Sequence, residues 1–310
     1  MVVLCGSGCE FVHRLNNLRK VTMSQSPNIL KFRERLKSFH KTTNVGIIGI
    51  LNVTPDSFFD GGQTFSPEKA IYKGLKLQAE GADIIDIGGQ SSRPGASSVG
   101  ANIEWSRIEP VMEGILEKDP YAQISIDTYR SEVAYRAINA GAVMINDISA
   151  GSLDPELLNV VAEANTPYVL MHMKGSPDNM QNNPNYEDVV SEVHDFFVKK
   201  TEELAELGIQ DVILDPGFGF GKRTEDNYSL LANLEKFTDL GKPILVGTSR
   251  KSMIYDTLDI EPSNALNGTT VTHTWALERG AALLRCHDVK EARQVVALHR
   301  HLCKSKMNPK

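Results

Sequence analysis

Short apolar runs rich in β-branched residues alternate along the chain with longer stretches whose apolar positions recur at helical spacing. The first run is 45–51 and ends at Asn52. The second, 84–87, carries Asp86 and opens into a glycine-rich loop. The third, 124–126, ends at Asp127, and the fourth, 143–145, at Asn146 and Asp147. The fifth, 168–171, ends at His172, and the sixth, 212–214, at Asp215. The seventh, 244–246, ends at Gly247-Thr-Ser249, and the eighth, 282–284, at Arg285-Cys-His-Asp288. Between them, residues 67–80, 131–140, 155–164, 189–207 and 270–278 read as helices, most with a glycine just past the end, where helices commonly stop.

Strands buried on both faces of a parallel sheet should read as continuous apolar runs, as these do. Eight strand–helix units over about 250 residues predict an α/β protein, a single-domain (β/α)8 TIM barrel. The barrel is expected over 45–303. A helix is expected over 28–44, where Ile29, Phe32, Leu36 and Phe39 share one face that packs on the fold. Residues 1–27 read as a disordered extension and 304–310 as a tail. The alternative is an open doubly wound sheet, which would leave only some of the strand-end residues near its switch point. A barrel brings all of them to one rim, where such folds do their chemistry.

The chain has 310 residues, 41% of them hydrophobic, enough for one large core. A net charge of −6 disfavours a nucleic-acid or anionic-membrane partner, so any positive charge for an anionic ligand must be local. No apolar run is long enough to span a membrane, and the opening residues lack a signal h-region. Cys5, Cys9, Cys286 and Cys303 show no zinc spacing and no disulfide framework, which makes the cytoplasm the default compartment.

The candidate chemistry centres on Asp215-Pro-Gly-Phe-Gly-Phe-Gly-Lys222. Pro216 ends the strand, the glycines let the backbone approach something small, and Lys222 returns a positive charge. The stretch is neither a P-loop nor a dinucleotide fingerprint. Asp127, Asn146 and Asp215 together offer acceptors and an amide donor suited to a flat, nitrogen-rich ring. The plainer reading of any one of them is a helix N-cap, most simply Asp127-Thr128. Arg93, Lys222, Arg250, Lys251, Arg285 and His287 all follow strand ends, and gather positive charge at one mouth for a diphosphate or carboxylate. Ser252 opens a short helix and either holds an anion or serves as a cap. Asn52 begins a long polar loop that reads as a lid, and its hard amide oxygen suits Mg2+ shared with phosphates.

Taken as a set, these motifs resemble the dihydropteroate synthase family of the folate pathway. The matching stretches are Gly49-Ile-Leu-Asn-Val-Thr-Pro-Asp-Ser-Phe58, Asp86-Ile-Gly-Gly-Gln-Ser-Ser-Arg-Pro-Gly95, Ser125-Ile-Asp-Thr128, Asn146-Asp-Ile-Ser149 and Met171-His-Met173. They continue with Asp215 to Lys222, Gly247-Thr-Ser-Arg-Lys-Ser252 and Arg285-Cys-His-Asp288. The resemblance implies an enzyme that condenses p-aminobenzoate with 6-hydroxymethyl-7,8-dihydropterin diphosphate, giving 7,8-dihydropteroate and pyrophosphate. It implies that Asp127, Asn146, Asp215 and Lys251 hold the pterin over Asp86. Arg285, His287 and Ser92 would hold the diphosphate, and Asn52 the Mg2+ cofactor. Phe58, Arg93, Pro94, Arg250 and Ser252 would shape the aminobenzoate pocket. The catalytic set would be Asp127, Asp215, Lys251, Arg285 and His287, in a homodimer. Where the family usually has Glu-Ser-Thr-Arg, this chain has Gln90-Ser-Ser-Arg93. A pterin-binding methyltransferase and a catalytically silent pterin binder are the competing readings.

Overall fold

The computed structural model describes residues 27–39, 44–54, 66–91, 98–177, 179–181 and 183–307. Residues 1–26 of the expected extension, residues 308–310 of the expected tail, and the loop positions Phe58, Ser92, Arg93 and Pro94 lie outside them.

Eight strands run in chain order: β1 (Gly46–Asn52), β2 (Ile84–Gly88), β3 (Ile124–Asp127), β4 (Met144–Asp147), β5 (Tyr168–Met171), β6 (Val212–Asp215), β7 (Leu245–Val246) and β8 (Leu283–Cys286). Neighbours pair in parallel from β1 through β6, and β8 pairs with both β7 and β1. The last gap, between β6 and β7, is closed by one parallel bridge from Leu214 to Ile244, with the Leu214 N–H donating to the Pro243 carbonyl at 2.9 Å. The sheet is therefore a (β/α)8 barrel and not an open doubly wound sheet, which would leave β6 and β7 as free edges. Every residue of β2 and of β4 to β7 is buried, because helices cover the outside and side chains fill the inside.

Ten α-helices are described: α1 (Pro27–Ser38), α2 (Pro67–Ala79), α3 (Ala101–Lys118), α4 (Ser131–Asn139), α5 (Glu156–Ala164), α6 (Val189–Glu206), α7 (Thr224–Ala232), α8 (Ser252–Leu258), α9 (Leu266–Glu278) and α10 (Val289–Met307). The five expected helices are α2, α4, α5, α6 and α9. The expected helices do not include α3, α7 and α10. In α3, Pro110 lies inside a continuous helix whose Trp105, Ile108, Val111, Met112 and Ile115 form a buried stripe. α9 starts four residues before the expected 270, through Asn267 and Gly268. A side chain at Gly268 would lie 2.3 Å from Ile254, so the glycine is what lets α9 lie against α8.

The helix α1 ends at Ser38, short of the expected 44. Ile29, Phe32, Leu36 and the following Phe39 are buried, as their spacing predicted. Arg33 pairs with Asp211 just before β6, and Arg35 with Asp83 just before β2. A Cβ on Gly46, at the start of β1, would lie 3.1 Å from the Phe39 ring, so the glycine leaves room for that ring. The helix thus covers the face where the strands begin, and leaves the face where they end to the chemistry.

Candidate active site

Strand register lines up one row of residues at the strand ends. Asn52 pairs with Gly88, Gly88 with Asp127, and Asp127 with Asn146. Gly88 is the low point of that row. A Cβ there would meet the Asn52 amide oxygen at 3.6 Å and the Asp127 Cβ at 3.6 Å, so its missing side chain leaves the space between those two groups open.

One layer deeper stands Asp86, buried in β2. Its Oδ2 accepts from Asn146 Nδ2 at 2.9 Å and from Arg285 Nε at 2.7 Å, while Arg285 Nη2 donates to Asp127 Oδ2 at 2.6 Å. Two carboxylates share one guanidinium. Burial first, and the like charge of Asp86 next among the groups that raise it, push the Asp127 carboxyl up to about 7 against the pull of Arg285. Asp86 Oδ1 has no hydrogen-bond partner among the described residues. Asp127 is not a helix cap: α4 begins after Arg130, and the Ser131 N–H is taken by Asp154 Oδ2 at 2.7 Å. The two residues of Asn146-Asp147 divide their work. Asp147 is wholly buried, accepting from Tyr168 Oη, Ser149 N–H and Gly151 N–H at 2.7 Å each, and so shapes the turn rather than the site.

Lys251 joins this cluster to the loop after β6. Its side chain passes between Gly219 and Gly247: a Cβ on Gly219 would meet its Cδ at 3.3 Å, and one on Gly247 its Nζ at 4.0 Å. The same Gly247 position lies 3.8 Å from the Arg285 Cβ. Lys251 Nζ donates to the Phe218 carbonyl and stands 4.7 Å over the Phe220 ring. Burial pushes its ammonium down to about 8, opposed by Asp215. Asp215 itself is buried and accepts from the Gly217 N–H at 2.7 Å, and burial raises its carboxyl against Lys251. Asp86, Asp127, Asn146, Asp215, Lys251 and Arg285 therefore surround one centre.

The positive charge at the mouth is narrower than the sequence suggested. Lys222 is 4% exposed. Its Nζ lies 3.0 Å from His172 Nδ1 and donates to the carbonyls of His172, Gly217 and Phe220 at 3.0–3.2 Å. Burial pushes the ammonium down to about 7, opposed by Asp215 and Asp226. Arg250 grips Asp288 with two parallel bonds of 2.9 and 2.8 Å and gives its remaining arm to the Ser263 carbonyl at 3.2 Å. His287 is exposed at the rim, and the protein packed around the inner side of its ring first, then Arg285, push its imidazole down to about 4. Its Nδ1 lies 3.1 Å from Ser249 Oγ, and that oxygen accepts the His287 N–H at 3.2 Å. The serine proton is then free for Nδ1, which leaves Nε2–H as a donor. Ser252 is the first residue inside α8, not its cap.

The close approach expected of the glycine-rich turn is real, but it is made to protein. At Gly217, with φ +69°, a Cβ would lie 1.9 Å from the His172 carbonyl oxygen. At Gly221, with φ +62°, it would lie 2.2 Å from that of Lys174. Sequence reasoning gave no role to Gln181 or Tyr186, which donate to the Gly219 and Gly221 carbonyls at 2.8 and 2.7 Å. Both sit in an irregular loop with no periodic signal that could have found them.

The family described as pterin binding enzymes matches residues 48–287. A curated relative, the dihydropteroate synthase of Synechocystis sp., is 44% identical over 252 residues, spanning 80% of this chain and 87% of the relative. Among solved structures, the Yersinia pestis dihydropteroate synthase with a sulfonamide drug superposes with a TM-score of 0.81 at 38% identity, covering 85% of this chain and 96% of that one. The Xanthomonas albilineans dihydropteroate synthase in complex with 7,8-dihydropteroate gives 0.76 at 39% identity, covering 85% and 95%.

Proposed function

This chain belongs to the pterin-binding enzymes and, among them, to the dihydropteroate synthases, and from that membership we propose how its residues divide the reaction. It is a transferase of folate biosynthesis that joins p-aminobenzoate to 6-hydroxymethyl-7,8-dihydropterin diphosphate, giving 7,8-dihydropteroate and pyrophosphate. The observation that carries the assignment of roles is the convergence of Asp86, Asp127, Asn146, Asp215, Lys251 and Arg285 from five strands and the loop after a sixth.

In this reading Asp127, Asn146, Asp215 and Lys251 hold the pterin. Asp86 keeps the Asn146 nitrogen turned toward itself, which leaves the amide oxygen and one N–H for the ring. As the C–O bond to the diphosphate breaks, positive charge spreads over the pterin. The pair of carboxylates that share Arg285 then stabilises it, as preorganised charge in a buried site does. The Nη1 of Arg285 and the Nε2–H of His287 receive the departing diphosphate. The neutral amine of p-aminobenzoate attacks the freed carbon and gives up its proton to the released pyrophosphate or to water, and no protein nucleophile is required. Arg250 and Ser252 would act on the aminobenzoate side, with Phe58, Arg93, Pro94 and, toward the diphosphate, Ser92 assigned by motif alone. Since Arg250 is tied to Asp288, it would work as a fixed wall rather than as a free cation.

Asn52 is the residue we assign to Mg2+. Among the described residues no three His, Cys, Asp or Glu stand together as a metal cage. That suits an ion that arrives with a diphosphate, because Mg2+ keeps its waters and is usually held by one or two protein oxygens plus substrate phosphates. Bound there, it would offset the charge of the leaving group.

Formation of 7,8-dihydropteroate from the two substrates with Mg2+ tests the whole reading. A silent pterin binder would show affinity and no product, and a methyltransferase would not use the diphosphate. No described helix is long and apolar enough to cross a membrane. We place the protein in the cytoplasm, a reading supported by free Cys286 and Cys303. A homodimer is supported by Val271, Trp275, Leu298 and Leu302, left exposed on α9 and α10, and sizing chromatography checks it.

A further inference from the structure

Each carbonyl from Gly217 to Gly221 accepts a hydrogen bond from a side chain. Lys222 Nζ donates to Gly217 at 3.0 Å and Phe220 at 3.1 Å, Lys251 Nζ to Phe218, Gln181 Nε2 to Gly219 at 2.8 Å, and Tyr186 Oη to Gly221 at 2.7 Å. A loop has no neighbouring N–H row to satisfy these groups, so side chains supply most of the donors, and the Gly217 carbonyl also accepts the Phe220 N–H at 3.1 Å. Gln181 and Tyr186 come from the loop after β5, whose backbone also lies directly on Gly217 and Gly221. Lys222 completes the joint by reaching His172 Nδ1 and the His172 carbonyl. The two loops are one body, and the Phe218 carbonyl is the point where that body meets Lys251.

We propose that Lys222, braced by Gln181 and Tyr186, is a positioning residue for the pterin site: it fixes the Phe218 carbonyl, and through it the Lys251 ammonium, without touching substrate. The residues on either side of Phe218 leave little freedom. Gly217 is held by Lys222 and also donates its N–H to Asp215 Oδ1, while Gly219 is held by Gln181 and donates its N–H to Asn227 Oδ1 at 2.7 Å. The same joint therefore orients the Asp215 carboxylate and the Lys251 ammonium together. The inference rests on the assignment of Asp215 and Lys251 to the pterin.

The test uses the full chain, calorimetric titration with the pterin diphosphate and Mg2+, and the KM for each substrate. Tyr186→Phe and Gln181→Ala each delete one hold and are expected to weaken pterin binding about 2- to 10-fold, with the KM for p-aminobenzoate within about twofold of wild type. Lys222→Met is expected to weaken it at least about tenfold with the same split. Should Lys222→Met fail to fold, the Tyr186→Phe/Gln181→Ala double variant takes its place with the same expected loss. Folded variants that bind pterin like wild type overturn the inference alone, as does an equal rise in both KM values. A wild-type chain that binds no pterin overturns both this inference and the site assignment beneath it.

Discussion

Arg285 and Asp86 stand 199 positions apart, on β8 and β2, yet the arginine Nε donates to the aspartate Oδ2 at 2.7 Å inside the barrel. Asp86 also holds Asn146, so one buried carboxylate aligns a group assigned to the diphosphate and a group assigned to the ring. Removing one partner of a buried pair strands the other, at a cost of about 3–5 kcal/mol. Asp86→Ala is expected to lower unfolding stability by about 3 kcal/mol. Asp86→Asn should keep the fold and lose kcat/KM for the pterin diphosphate by about tenfold or more. Denaturant unfolding and steady-state kinetics check both, and wild-type values in both would remove Asp86 from the site.

Lys251→Ala and Asp215→Asn should each weaken pterin binding by about 10- to 100-fold, the usual cost of a lost hydrogen bond to a charged group. The loop after β6 holds both residues, the Gly217 N–H donating to Asp215 and the Phe218 carbonyl accepting from Lys251 Nζ. Calorimetry with the pterin diphosphate decides it. Normal turnover in either variant would refute the placement.

Asn52→Ala should weaken diphosphate binding only when Mg2+ is present, because a neutral amide oxygen offers little to a phosphate except through a cation. Titrations of wild type and variant with and without the metal give four affinities. Equal losses in both conditions would make Asn52 a direct ligand contact.

The pH dependence should be bell-shaped. Asp127 is pushed up to about 7 by burial and must be ionised to stabilise a cationic ring, so activity falls as pH drops through 7. Lys251 is pushed down to about 8 and must be protonated to act as a cation, so activity falls as pH rises through 8. The profile of kcat/KM for the pterin diphosphate should show these two limbs. Lys251→Arg should shift the alkaline limb upward by about two units or more, since a guanidinium stays charged.

Gly217→Ala and Gly219→Ala should behave differently although both positions have positive φ. At Gly217 the new methyl group would lie 1.9 Å from the His172 carbonyl oxygen, which is backbone and cannot step aside. A loss of about 3 kcal/mol or more is expected. At Gly219 the nearest atom is the Lys251 Cδ at 3.3 Å, on a flexible side chain. There the expected loss is about 1 kcal/mol, with weakened pterin binding as the second readout. Denaturant melts of the two variants compare them directly.

The repeating apolar runs determined the barrel, because a strand covered on both faces is apolar over most of its length. The change from apolar to polar named the residues of the rim: Asn52, Asp127 and Asp215 close their strands, Asn146 and Arg285 stand one residue inside the ends of theirs, and His287 lies just past β8. Only the tertiary structure decided which charges are available there. Arg250 meets Asp288 from 38 positions away, and Lys222 meets His172 from 50. Neither partner is visible in local sequence, because a charged group is occupied by what folds against it and not by what precedes it. Closure between β6 and β7 was likewise decided in space, by a single bridge at Leu214. The glycines of the turn announced a close approach, and only the folded loops showed that its object is the backbone at His172 and Lys174.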